Sequence, residues 1–389
     1  MAHPHHLLNT SWTSYRLSPL HHTDHESLLT NPAALETYAA RLQDHLTNSL
    51  ADTQWRDQDS TLSAMGPLKS CTWETITTLS FLRPQQEQED ETQTRNPSGI
   101  MVALSYETTT YKAALLAGNT QTQTQKQKQT GTLQRRRGRS NANSNSNSTY
   151  LPLLLTRLPK VLRESFTSFL SSTFDTYVSP LRLPSSFLCE ALETYVRGLV
   201  PEPGSGSSGA ATAANRTGLI EDVVREMHLT LSFSEPVAPL LKALNLSIPR
   251  ETFKSFLSGA SSSSALPGER KKEEEEEAGI GDSVLSGLEG YLRRHLALEL
   301  GLDILPLASE QGSGSRLSSA LAGGYVRLTR VACAGFVVTG EGRIKVVAST
   351  SGVDDESDNP EKEDERNRGA LRGGEALVRA VLERAVTGE

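Results

Sequence analysis

Apolar residues first fall into a helical rhythm between positions 31 and 52. Leu35, Tyr38, Ala39, Leu42, Leu46 and Leu50 recur three and four apart, which predicts an amphipathic helix. Asn31 is a good N-cap and Pro32 suits the first helical position. Elsewhere the period is two. Ser11 to Leu20 reads as a strand with Tyr15 and Leu17 on one face, and Pro19 ends it or puts it at an edge. Ser70 to Leu82 is a second strand. Ile100, Val102, Leu104 and Tyr106 alternate, and Tyr111 to Leu116 returns as the other arm of a hairpin. The apolar run Leu151 to Leu158 is a short strand before a helix starting at Lys160. Ser185 is placed to cap a helix carrying Phe187, Leu188, Ala191, Leu192, Tyr195 and Val196. Met227, Leu229, Leu231 and Phe233 alternate as a strand. Ser283 is placed to cap a helix over Val284 to Leu300, with Gly301 as its stop. Glu375 to Val386 closes the chain as a helix.

The stretch Tyr325 to Val347 reads as a β-ribbon with its turn at Gly340-Glu341-Gly342. Glycine reaches positive φ cheaply in such loops. Folding about Glu341 sets Thr339 opposite Arg343, Val338 opposite Ile344, and Phe336 opposite Val346. Strand side chains alternate faces, so Phe336, Val338, Ile344 and Val346 share one side. Val337 and Lys345 fall on the other. Periodicity alone leaves open whether the apolar side covers the chain's own helices or meets another subunit.

Between these elements the pattern stops. Residues 1–117 form an α+β part, and 118–149, dominated by Gln, Thr, Asn, Ser and basic residues, is expected to be a disordered insertion. Residues 150–200 form a helical part, 201–217 a linker, and 218–257 a strand–helix part. Residues 258–282 are an acidic disordered linker holding Glu273 to Glu277. Residues 283–389 carry a helix, the ribbon and the closing helix, with a loose acidic loop at 353–368. Strands and helices mix without a βαβ rhythm. The expected class is α+β, with a largely antiparallel curved sheet packed with helices and interrupted by long insertions.

Composition narrows the chemistry. Only 36% of the 389 residues are hydrophobic, below a typical globular share, in keeping with unpacked insertions. Cys71, Cys189 and Cys333 are scattered, lack metal-ligand spacing and are odd in number, which fits reduced thiols in an intracellular protein. No apolar run is long enough to span a membrane. Gly204-Ser-Gly206-Ser-Ser-Gly209 has the letters of a dinucleotide fingerprint but not the strand before it and helix after it that the chemistry needs. His3, His5, His6, His21, His22 and His25 crowd the N-terminus without an accompanying Cys or carboxylate pattern, and read as solvated side chains. No Gly-x-Ser-x-Gly elbow is followed by suitably ordered Asp and His. The sequence thus predicts no catalytic, cofactor or metal site. Lys126, Lys128, Arg135, Arg136, Arg137 and Arg139 form a basic run. Such a run meets phosphates without sequence preference, serves as a nuclear import signal, or is simply a solvated loop.

Three blocks of wording carry a family resemblance. Asn9-Thr10-Ser11-Trp12 with Arg16-Leu17-Ser18-Pro19-Leu20 resembles the N-terminal signature of the fungal centromere protein L (CENP-L) family. Phe174 to Leu181 with Ser186-Phe187-Leu188 resembles its mid-chain block. Val326 to Phe336 with Gly340 to Lys345 is similar to its C-terminal strands. The resemblance implies a non-enzymatic structural subunit of the inner kinetochore, nuclear and centromeric. It further implies pairing with a centromere protein N homologue through C-terminal strands, contact with other inner-kinetochore subunits, and a link to centromeric nucleosomes or DNA. On that reading Val326, Leu328, Phe336, Val338, Ile344 and Val346 are the candidate partner interface, by edge-strand pairing. Charge clustering makes Lys126, Lys128 and Arg135 to Arg139 the candidate nucleic-acid contact. The alternative is a nuclear nucleic-acid-binding protein acting through that basic loop.

Overall fold

The computed structural model describes residues 4–22, 28–54, 65–76, 78–81, 97–118, 148–200, 213–233, 240–258, 280–296, 326–348 and 360–388. The basic run 126–139, the Gly-Ser stretch at 204–209, Glu273 to Glu277 and Gly301 lie outside them. The chain divides into two compact units. The first holds Met1–His6, Trp12–Leu181 and Val381–Glu389; the second holds Leu7–Ser11 and Arg182–Ala380. Strands pair antiparallel throughout the described ladders, so the class is α+β with an antiparallel sheet.

In the first unit, β1 (Ser11–Leu17) is joined by β3 (Leu68–Ile76), β4 (Gly99–Tyr106), β5 (Thr110–Leu116), β7 (Leu153–Arg157) and β8 (Val178–Pro180). Their order is β8-β1-β7-β5-β4-β3. A separate pair is made by β2 (Leu20–His21) and β6 (Ser148–Thr149). One sheet face carries Trp73, Val102, Leu104, Ala113, Leu115, Leu154 and Leu17. Helices α1 (Pro32–Gln54) and α2 (Lys160–Phe174) pack against it. Alternation puts these residues on a single side, and burying each large side chain contributes roughly 1.5–3 kcal/mol. The aromatic centre is Tyr38 and Phe174, with ring centroids 4.6 Å apart. The Asn31 side chain accepts from the Ala34 N–H at 3.0 Å, the predicted cap.

In the second unit the sheet order is β10-β9-β11-β12-β13. The strands are β9 (Met227–Phe233), β10 (Ala243–Ile248), β11 (Val326–Ala332), β12 (Phe336–Thr339) and β13 (Arg343–Val346). The helices are α3 (Ser185–Leu199), α4 (Ala213–Val224), α5 (Arg250–Ser258), α6 (Ile280–Leu296) and α7 (Pro360–Thr387). Helix α7 belongs to this unit as far as Ala380.

Helix starts are where the sequence pattern and the structure part. Ser185 is the first residue of α3 and Pro184 its N-cap, so the hydroxyl is free to donate to the Leu328 carbonyl at 3.2 Å instead of capping. Ser283 lies inside α6, which begins at Ile280, and Ala213 to Thr217 lie within α4. Helix α7 starts at Pro360, fifteen residues before Glu375 and inside the acidic stretch 353–368. Proline at N1 with Glu363 and Asp364 in the first turns suits the positive end of a helix dipole. Arg366 and Ala370 anchor this early part as buried residues. Arg366 reaches Asp222 of α4 at 3.7 Å, and Arg250 of α5 pairs with Glu221 at 2.9 Å.

Candidate partner interface

The ribbon adopts the register that folding about Glu341 requires. Phe336 pairs with Val346, Val337 with Lys345, and Val338 with Ile344. Gly342 takes φ +78° in the turn, a value that suits glycine. Strand β11 adds Val331 opposite Val338 and, on its other side, Leu229 of β9.

The apolar side of this sheet is covered from within the unit. Leu328, Phe336, Val338, Ile344 and Val346 are all buried, and only Val326, opposite Phe233, is half-buried. The Tyr195 ring of α3 sits 4.5 Å from the Phe336 ring, centroid to centroid. Val346 packs on Gly374 of α7, where a Cβ would clash with its methyl. Cys333 and Cys189, free and buried beside this core, have thiols pushed up to about 12 by burial. Burial likewise raises the Tyr195 hydroxyl well above its usual range. Each raised group favours its neutral form in the fold. Its contribution is intact below the unfolded pKa, about 9 for a thiol, and is lost as pH climbs toward about 12. Denaturation midpoints are therefore expected to hold between pH 7 and 8 and to fall from pH 9 to 11. Cys333→Ala should flatten part of that fall.

The opposite side of the same sheet is open and basic. Arg327, Arg330 and Arg343 are exposed and Lys345 is half-buried. Cross-strand register puts Arg330 between Thr230 and Thr339, and Arg327 beside Ser232. The five strands contain no aspartate or glutamate. Glu226, just before β9, lies 3.8 Å from His228 on this side.

Strands β3 and β10 are different kinds of edge. Among the described residues β3 pairs only with β4, and β10 only with β9. Strand β3 carries Lys69 and Glu74 and has a register shift between Leu68 and Ser70, three devices that discourage a further strand. Within its six residues strand β10 has none of these; the nearest charge is Lys242, directly before it, whose carbonyl accepts the Phe233 N–H at 3.3 Å. The strand is Ala-Leu-Asn-Leu-Ser-Ile, uncharged, in unbroken register with β9 over six pairs. Just before it Leu240 is 98% exposed and Leu241 44%. Sequence periodicity did not single out β10 because alternation does not give strand order. The signal available was the charge-free run Ala243 to Ile248 that follows Leu240-Leu241-Lys242.

The N-terminal wording block and the start of the mid-chain one meet in the fold. In the first unit β1 pairs with β8, and Ser18 is tied to the corner at Thr176 and Tyr177 by the Tyr177 N–H donating to Ser18 Oγ at 2.8 Å. The chain matches the family model of Centromere protein L over residues 6–386, nearly its whole length. It belongs to the centromere protein L family. A comparison with curated proteins gives no match. CENP-L is a structural kinetochore family, so the chain is a nuclear protein of the centromere and kinetochore, with a part in chromosome segregation and cell division. Among the described residues no helix is long and apolar enough to cross a membrane, and no group of three metal-ligating side chains gathers.

Proposed function

We propose that this CENP-L family member is a non-enzymatic scaffold of the inner kinetochore. It pairs with a centromere protein N homologue by adding that partner's strand to β10, and it helps link centromeric chromatin to the rest of the assembly. The observation that carries the reading is the contrast between the guarded edge β3 and the unguarded edge β10. A free strand edge supplies a ladder of backbone donors and acceptors, and flanking leucines supply anchoring area. The ribbon residues Leu328, Phe336, Val338, Ile344 and Val346 then act indirectly, by holding the sheet on its helices so that β10 is presented rigidly.

Co-expression with a centromere protein N homologue is the test. The wild-type chain should give a stable one-to-one complex. Leu240→Asp with Leu241→Asp should weaken it at least about tenfold while leaving the melting temperature of the isolated chain unchanged, since both side chains are exposed. Undiminished affinity of the double variant would reject the β10 assignment.

The basic outer face favours a second role in the same protein, contact with the DNA backbone. Arg327, Arg330, Arg343 and Lys345 stand on one sheet face free of strand carboxylates. Each phosphate neutralised adds about 0.9 to the slope of log affinity against log salt. Replacing all four by alanine should therefore flatten that slope by about 3 to 4. An unchanged slope, with loss only on deleting residues 126–139, would move the contact to the basic loop.

A further inference from the structure

Among all the serines and threonines of the chain, only Ser18 and Ser179 are followed by proline. Their settings differ. The Ser18 hydroxyl is a structural hub: it accepts the Tyr177 N–H at 2.8 Å and lies 3.0 Å from the Thr176 hydroxyl. Three residues after it stands His21. Ser179 is the middle residue of β8 and reads Ser179-Pro180-Leu181-Arg182. A proline at the next position, with no N–H to satisfy, together with a cation two positions further on, is the pattern that proline-directed protein kinases accept.

The local structure fits such a site. The segment is already extended, the form in which substrate chains lie in a kinase groove. Ser179 is half-buried, while Pro180 and Arg182 are exposed. Strand β8 has three residues and, among the described residues, pairs only with β1. Lifting so short an edge strand is a local opening of small cost. In the closed state Ser179 stands directly opposite Arg16. Their side chains therefore share a face, with Cβ atoms about 5 Å apart. The Arg16 guanidinium also packs over Gly388, at the C-terminal end of α7.

We propose that Ser179 is a phosphorylation site for a proline-directed kinase, and that Arg16 receives the phosphate. The kinase transfers the γ-phosphoryl group of ATP to Ser179 Oγ. The Oγ–H bond is lost to the kinase's catalytic carboxylate, the Oγ–P bond forms, the β–γ bridge bond breaks, and ADP leaves. When β8 closes again, the dianion faces the Arg16 guanidinium and gains charge-assisted hydrogen bonds. Arg16 then divides between the phosphate and the end of α7, which makes this corner responsive to modification.

The test uses the purified full chain, a cyclin-dependent kinase with its cyclin, ATP, and site mapping by mass spectrometry. Phosphate is expected on Ser179 in preference to Ser18. Pro180→Ala should abolish it and Arg182→Ala should lower its rate about tenfold. The phosphorylated protein should melt about 2–4 °C higher, and Arg16→Ala should remove that difference. Labelling of a peptide spanning residues 174–186 but not of the folded chain would overturn the site. An identical melting shift in the Arg16→Ala protein would overturn the role of Arg16.

Discussion

Val338→Asp is expected to leave no folded second unit, whereas Val337→Asp, one residue away, should fold normally. Val338 is fully buried between Val331 and Ile344 and faces the helices. A carboxylate there would stand between the apolar side chains of Val331 and Ile344. Burying it costs about 4 kcal/mol or more, a large part of the roughly 5–15 kcal/mol that holds a domain together. The side chain of Val337 points the other way, toward the open basic face, and lies opposite Lys345. An aspartate there finds a cation and costs within about 1 kcal/mol. Soluble yield and urea midpoints of the two variants check the alternation. Equal tolerance would mean that the ribbon's apolar side is not core. Equal failure would mean that both sides are.

Gly335→Ala is the second large effect. A Cβ at 335 would fall within the contact radius of the Tyr195 hydroxyl and 2.7 Å from its Cζ. Tyr195 is fully buried and its ring packs at a tilt against Phe336, so it has little room to retreat. Overpacking of this kind costs about 1–3 kcal/mol. Among the described residues the Tyr195 hydroxyl has no hydrogen-bond partner, so Tyr195→Phe alone should be neutral or mildly stabilising. Combined with Gly335→Ala it should recover about 1 kcal/mol of the loss, a coupling that separate sites would not give. Additive midpoints in the double variant would remove Tyr195 as the cause.

Much of this was legible in the chain, for identifiable reasons. The ribbon register followed from a glycine turn and strict alternation, and its pairs are those observed. Asn31 and Pro32 marked a helix start because both act through the backbone nearby. Ser283 looked like a cap yet lies within a helix, because side-chain capping is optional wherever packing already fixes the start. The first half of α7 read as a loose acidic loop because its composition is polar; its order comes from tertiary partners such as Asp222, which a local window does not contain. The candidate interface shows the same division. The pattern told which ribbon side chains share a face. Only the strand order tells that this face is sealed by α3 and α7 and that β10 is left at the edge.

Amide hydrogen exchange across Ala243 to Ile248, with and without a centromere protein N homologue, tests the central claim most directly. Strand addition predicts that outward amides of β10, fast in the isolated chain, slow by at least about a hundredfold in the complex, while those of β3 keep their rates. A stable complex in which β10 exchanges as freely as before would contradict the account.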